Sequence, residues 1–138
     1  SLAAADLFHV VDDPSGTPIN KKISAENVFN NVPSYLGLAQ TSQSITADAS
    51  SQVSDVTSAI TEIDATSATG AISLADGTDG QIKIFINTST SGTNNVVITP
   101  TNLRGGTTIT LNAEGETAIC LFKNSKWNVI GGHGFAVA

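Results

Sequence analysis

Apolar and polar residues alternate in several short stretches of the C-terminal half. Ile82, Ile84 and Ile86 are separated by single residues, and β-branched runs follow at 96–99, 107–111, 117–122 and 126–130, with glycines between them. A two-residue period is typical of a strand with two different faces, and glycine favours the turns between strands. The pattern predicts a mainly β domain, an antiparallel sandwich, barrel or prism.

The N-terminal segment carries a different pattern. Residues 7–11 and 19–23 are β-rich and flank turn residues at 13–16, which predicts a β-hairpin. Ser24 then predicts the N-cap of a short helix that stops before Pro33. A hairpin with a two-turn helix is too small to be stable alone. Residues 1–33 are therefore predicted to form a docking module that gains order from a partner.

The middle of the chain is ambiguous. Residues 34–50 are predicted to be a linker. Within 44–66 the apolar residues fall at 3–4–3 spacing, which suits a short coiled-coil seam; they are Val53, Val56, Ile60 and Ile63. The residues between them are mostly Ser and Thr, and the charged ones share one sign, which favours strands. Both interpretations remain open at this stage, with strands preferred.

Composition and charge exclude several classes of function. The 138 residues carry a net charge of −6, and Ser and Thr together approach a quarter of them. An acidic chain without a basic stripe repels phosphate backbones, so nucleic acid is not an expected partner. No apolar run approaches the length of a membrane span, and the first residues lack the basic start of a secretory signal. We expect synthesis in a cytoplasm and no membrane partner. The single cysteine, Cys120, predicts no internal disulfide.

Candidate chemistry is sparse. Asp12 and Asp13 are neighbours on a predicted strand and would point to opposite faces, which argues against general acid–base work. His9 and His133 lie far apart in sequence without a third ligand of suitable spacing. The 76–80 segment lacks the acidic spacing of a calcium loop and predicts a tight turn. We predict no catalytic residues, no metal and no cofactor.

Two sets of residues resemble a known class of protein. Residues 6–29 read DLFHVVDDPSGTPINKKISAENVF. They resemble a short N-terminal segment of virion structural proteins from tailed bacteriophages, especially marine, cyanophage-like ones. The second set comprises SLADGTDGQ at 73–81, ITPTNL at 98–103, GGTTITL at 105–111 and WNVIGG at 127–132. It is similar to the β-rich C-terminal domain of such proteins.

The resemblance implies a non-enzymatic virion protein that forms a homotrimer. Residues 1–33 would attach to the major capsid protein or another virion protein, and residues 51–138 would project and trimerise. The short chain favours a capsid decoration or short head-fibre protein. A tail-fibre or tail-adaptor protein that acts in host adsorption is the alternative, with a host surface glycan as a further candidate partner.

The expected contact residues form two groups. The particle-docking group is Leu7, Phe8, Val10, Lys21, Lys22, Val28 and Phe29. The β-core or intersubunit group is Ile82, Ile84, Ile86, Ile109, Leu111, Ile119, Leu121 and Trp127. The competing hypothesis is a carbohydrate-binding module in which Trp127 and Tyr35 grip a glycan, although aromatic residues make up only 5% of the chain.

Overall fold

The structure, a computed structural model, describes residues 3, 5–12, 15–17, 19–25, 40–90 and 94–138. By its internal contacts the chain divides into two units, Ser1–Ala39 and Gln40–Ala138. The described residues are mainly strand, and they form one two-stranded and two five-stranded sheets. The prediction of a mainly β protein is confirmed.

The N-terminal unit contains the predicted β-hairpin. Strand β1 (Leu7–Asp12) pairs antiparallel with β2 (Ile19–Ser24). The helix expected over 25–30 lies outside the described residues beyond Ala25. The described residues of this unit form one two-stranded sheet. An isolated sheet of two strands is at best marginally stable in water.

The C-terminal unit contains ten strands. They are β3 (Ser42–Thr46), β4 (Ser51–Ser54), β5 (Ile60–Asp64), β6 (Gly70–Leu74), β7 (Ile82–Asn87), β8 (Val96–Pro100), β9 (Ile109–Leu111), β10 (Thr117–Lys123), β11 (Lys126–His133) and β12 (Ala136–Val137). One sheet has the order β11-β10-β7-β5-β3 and the other the order β12-β9-β8-β6-β4. Buried side chains from both sheets form one apolar core.

The first six of these strands wind as a short solenoid. Successive strands alternate between the two sheets, and β3, β5 and β7 run parallel, as do β4, β6 and β8. Each pair of consecutive strands therefore forms one rung: β3 and β4 make rung 1, β5 and β6 rung 2, and β7 and β8 rung 3. Parallel neighbours need a crossover between them, and here the crossover is a strand of the other sheet.

Side chains inside the solenoid stack in columns, three of which become more apolar from rung 1 to rung 3. These three are Gln43–Thr61–Phe85, Gln52–Ile72–Ile98 and Ser54–Leu74–Pro100. Stacked rungs bury a continuous interior, whereas the first rung has a neighbour on one side only. The column Ile45–Ile63–Asn87 runs the other way, and rung 3 also buries Lys83, so polar side chains lie inside both rung 1 and rung 3.

The last four strands close the other end of the stack. β9 and β10 pair antiparallel with β8 and β7, and β11 and β12 extend the two sheets outwards. Between β10 and β11, Asn124 and Ser125 both have positive φ, 53° and 58°, as a two-residue hairpin turn requires. This polar turn leads directly into Trp127.

Two expectations from the sequence are wrong. The all-antiparallel arrangement holds for β9–β12 and fails for rungs 1 to 3, because each turn there leads into the opposite sheet. The coiled-coil alternative fails because Val53 lies on β4, and both Ile60 and Ile63 lie on β5. The range predicted as a linker, 34–50, contains β3.

Candidate functional surfaces

The hairpin exposes apolar side chains on both of its faces. Cross-strand pairs place Phe8 beside Ile23 and Val10 beside Lys21 on one face. Phe8 and Val10 are each 37% exposed, and Ile23 is half-buried. Leu7 lies on the opposite face and is 60% exposed. Because apolar side chains of this size are normally covered, the face with Phe8, Val10 and Ile23 is a candidate contact surface.

The structure brings together only part of the predicted docking group. Phe8, Val10 and Lys21 share one face, whereas Leu7 and Lys22 lie on the other, because neighbouring positions of a strand alternate. The remaining two members, Val28 and Phe29, lie outside the described residues.

Strand β7 buries two polar side chains and turns its three isoleucines outwards. Its inward residues are Lys83, Phe85 and Asn87, all of them fully buried. Its outward residues are Ile82, Ile84 and Ile86, and Ile82 is 49% exposed. When the outer face of a sheet contacts only water, its strands are expected to place apolar side chains inwards and polar side chains outwards. The outward isoleucines therefore belong to a surface rather than to the core.

Neighbouring strands extend this surface. Cross-strand register places Leu121 beside Ile82, Ile119 beside Ile84 on one side, and Ile60 beside Ile84 on the other. We define these side chains as the outer apolar face: Ile60, Ile82, Ile84, Ile86, Ile119 and Leu121. A hollow of about 390 Å³ lies at the end of this face where β7 begins. It is lined by Gln40, Ala59, Gly80, Ile82 and Ile84. The outer apolar face is the second candidate contact surface.

Opposite flanks of the outer apolar face carry opposite charges. Lys123 and Lys126 lie directly opposite each other at the ends of β10 and β11. The Lys123 ammonium lies 2.8 Å from a carboxylate oxygen of Asp79. On β5, the outward residues beyond Ile60 are Glu62 and Asp64. We call these the basic flank (Lys123, Lys126) and the acidic flank (Glu62, Asp64).

The other predicted core or intersubunit residues are buried in the core. Ile109, Leu111 and Trp127 each have no exposed surface. The Trp127 indole donates a hydrogen bond of 2.9 Å to the carbonyl of Ala75, and its ring meets Phe122 edge-on at 5.1 Å. A fully buried indole cannot stack on a sugar, so the position of Trp127 argues against the competing carbohydrate-binding hypothesis. Tyr35 lies outside the described residues.

Two glutamines close the free end of rung 1. The side-chain amide of Gln43 donates to the Val53 carbonyl and accepts from the Asp55 amide, each at 3.0 Å. The Val53 carbonyl lies on the edge strand β4 and the Asp55 amide directly follows that strand, so Gln43 supplies hydrogen bonds that a further strand could otherwise make. In the opposite sense, Gln52 on β4 donates to the Thr46 carbonyl of β3 at 2.8 Å. We call this pair the glutamine plug; sequence reasoning missed it because a glutamine on a strand resembles any exposed polar residue.

Lys83 is the second feature that the sequence did not predict. Its ammonium donates hydrogen bonds of 2.6 Å to the carbonyls of Asp55 and Ser58, which lie in the connection between rungs 1 and 2. Burial lowers the pKa of Lys83 below its usual value of 10.5, and the nearby Asp55 charge partly opposes that shift. A charged group buried against carbonyl oxygens holds this connection in place, which is a structural role.

The titratable side chains do not gather into a reactive cluster. Among the described residues, no three His, Cys, Asp or Glu side chains lie together as metal ligands would. Cys120 is fully buried in the apolar core, and this burial raises the pKa of its thiol to about 12. His9 and His133 are both exposed. Within the described ranges, no helix has the length and hydropathy to cross a membrane.

Comparison with known proteins adds no assignment. No protein-family model and no curated protein matches the chain. The function therefore has to be argued from the two surfaces and from the sequence resemblance.

Proposed function

We propose that the chain is a non-enzymatic structural protein of a tailed-phage virion, held on the capsid surface as a decoration or short head-fibre protein. The resemblance of residues 6–29 and of the C-terminal motifs to such proteins motivates the proposal. The observation that carries it is the hairpin. A separate two-stranded unit that exposes Phe8, Val10 and Ile23 on one face is suited to docking on another protein.

In this proposal the two units have different roles, attachment and projection. The hairpin, completed by a short helix over 25–30, binds the major capsid protein or another virion protein. Lys21, beside Val10 in the hairpin register, favours an acidic surface on that partner. The C-terminal unit, a sandwich-like body of two five-stranded sheets, projects from the particle and joins two further copies in a homotrimer.

The test uses two neighbouring valines of β1 that lie on opposite faces of the hairpin. Particles of the phage that encodes the chain are purified without it, mixed with the added protein, and sedimented. We expect Val10→Asp to lower the bound fraction by about tenfold or more, since it places a charge on the docking face. Val11→Asp, one residue later and on the opposite face, is the matched control and should bind as the unchanged chain does.

Three results would overturn the proposal or part of it. Absence of binding by the unchanged chain would remove particle attachment altogether. Equal binding by both aspartate variants would show that this face of the hairpin is not the docking surface. Gold-labelled chain located on tails by electron microscopy would replace the capsid assignment with the tail-fibre or tail-adaptor alternative.

A further inference from the structure

The outer apolar face has no cover among the described residues, although its composition is that of a buried surface. Six Ile and Leu side chains adjoin one another across β5, β7 and β10, and Glu62 lies beside Ile86 at their edge. Isolated exposed apolar residues are common in proteins, whereas a contiguous group across three strands marks an interaction site. The question is which molecule covers it.

The charges at the rim of the face indicate its occupant. The basic flank lies on the β10–β11 side and the acidic flank on the β5 side. The charge on one side of the rim is therefore complementary to the charge on the other side. When copies of one chain close into a ring, each copy presents one flank to the opposite flank of the next copy. Within the described part of the chain, the Lys126 ammonium has no hydrogen bond or ion pair, and the Glu62 carboxylate accepts only a long hydrogen bond, 3.4 Å, from the Ser44 hydroxyl.

We infer that the outer apolar face binds further copies of this chain, with the basic flank of one copy against the acidic flank of the next. This inference rests on the proposed function, because it names the surface through which the proposed homotrimer forms. The two charged flanks lie towards opposite ends of the strands, so strands of neighbouring copies must cross at an angle for the flanks to meet.

The hollow beside Ile82 and Ile84 fits the same arrangement. Its walls are mostly apolar, and it opens on the outer apolar face, so it can receive an apolar side chain of the next copy. Burial in such a hollow excludes water from the centre of the contact, while the charged flanks remain at the rim and set the orientation.

The first experiment measures the mass of the full chain by light scattering over a range of concentrations. We expect an assembly of more than one copy. At a concentration where the unchanged chain is assembled, Ile82→Lys should weaken self-association by about tenfold or more, because it places a charge within the apolar contact. Val53→Lys makes the same change at a 64% exposed position of the other sheet and should leave the mass unchanged.

Charge reversal then tests the orientation. Lys126→Glu and Glu62→Lys should each reduce assembly, since each places like charges side by side in the ring. The double variant restores opposite charges and should recover assembly. Both residues are exposed, so circular dichroism should give unchanged folding for all three variants.

The results separate this inference from the proposed function. A monomer at every concentration, or assembly unaffected by Ile82→Lys, overturns the inference even when the chain still binds particles. Failure of the double variant to recover assembly overturns the flank-to-flank orientation. Assembly with the expected variant behaviour supports the inference even when no particle is bound, in which case the proposed function fails alone.

Discussion

The two ends of the C-terminal unit hold their interiors together by different physical means. At rung 1 the inward positions include Gln43, Gln52 and Ser54 beside Ile45, and side-chain amides hydrogen-bond to the strand edges. At the closing end the inward positions are apolar, with Leu111 and Trp127 fully buried. A stack of strands can therefore end either with hydrogen-bonded amides at an open edge or with antiparallel strands that bury a large apolar cluster. We expect the second solution to contribute more to stability.

The largest effect should follow from removing the aromatic anchor of the closing end. Trp127→Ala should lower the free energy of unfolding by about 3–5 kcal/mol, because it leaves a cavity in the core and frees the Ala75 carbonyl. Chemical denaturation followed by circular dichroism measures this loss. Trp127→Phe, which keeps a ring against Phe122, should lose less. A loss below about 1 kcal/mol for the alanine variant would show that the closing end is not the more stabilising one.

The next effect concerns Lys83, inside the solenoid. Lys83→Met should lower stability at pH 7 by about 1–3 kcal/mol, because two carbonyls lose their donor. The pH dependence has a definite sign. Burial lowers the pKa of Lys83 in the folded state, so the unfolded chain holds the proton more tightly, and stability should rise as pH increases through the lowered pKa towards 10.5.

The control for Lys83 is an exposed lysine. Lys126→Met removes the same charge from the surface, so the comparison isolates burial. The rise in stability between neutral pH and pH 10.5 should be smaller in Lys83→Met than in Lys126→Met. Parallel pH profiles for the two variants would contradict the assigned pKa shift.

The two glutamines of the plug should differ from each other. Gln43→Leu leaves a carbonyl and an amide without partners and should cost about 1–2 kcal/mol. Gln52→Leu removes only one hydrogen bond, and it also removes a buried side-chain oxygen that has no hydrogen-bond partner. We expect Gln52→Leu to be less destabilising by about 1 kcal/mol. Thermal unfolding of both variants measures the difference, and an inverted order would show that Gln43 does not close the edge.

The smallest effect is on acid stability at the connection after rung 1. The Ser58 amide donates to the Asp55 carboxylate at 2.6 Å and is the main cause of the lowered pKa of that carboxyl. The stability it contributes is present above the ordinary value of 3.8 and is lost as pH falls through the lowered pKa. Asp55→Asn should therefore flatten the decline of stability at acid pH slightly. An unchanged acid profile would contradict the contribution of Asp55.

The sequence allowed prediction of the strands but not of their winding. Alternation and glycine spacing located β7 to β11, since both follow from local chain geometry. Parallel rungs depend on which sheet each turn enters, and that is decided by packing between distant residues. One signal was present: Ile45 with Ala47 and Ile63 with Ala65 repeat at a spacing of eighteen residues, which is the offset between the paired strands β3 and β5.

The candidate surfaces could be predicted only in part. The isoleucines of β7 were identified as core or interface from their alternation. The choice between the two depended on Lys83 and Phe85, which occupy the inside of the same strand. A lysine is ordinarily assigned to the solvent side, and the pattern therefore did not reveal that it is the donor for two buried carbonyls. Docking residues on the hairpin were predicted as one group because sequence alone did not separate its faces.

The glutamine plug has a consequence for how such a unit can change in length. Gln43 and Gln52 belong to rung 1, and the closing strands contact rung 3. Neither end of the stack therefore determines how many rungs lie between the two ends. Duplication of the segment that forms rung 2 would insert a compatible module and extend the stack by about 4.8 Å, the spacing of adjacent strands. The unit could thus be lengthened one whole rung at a time by gene duplication, with the residues at both ends of the stack unchanged.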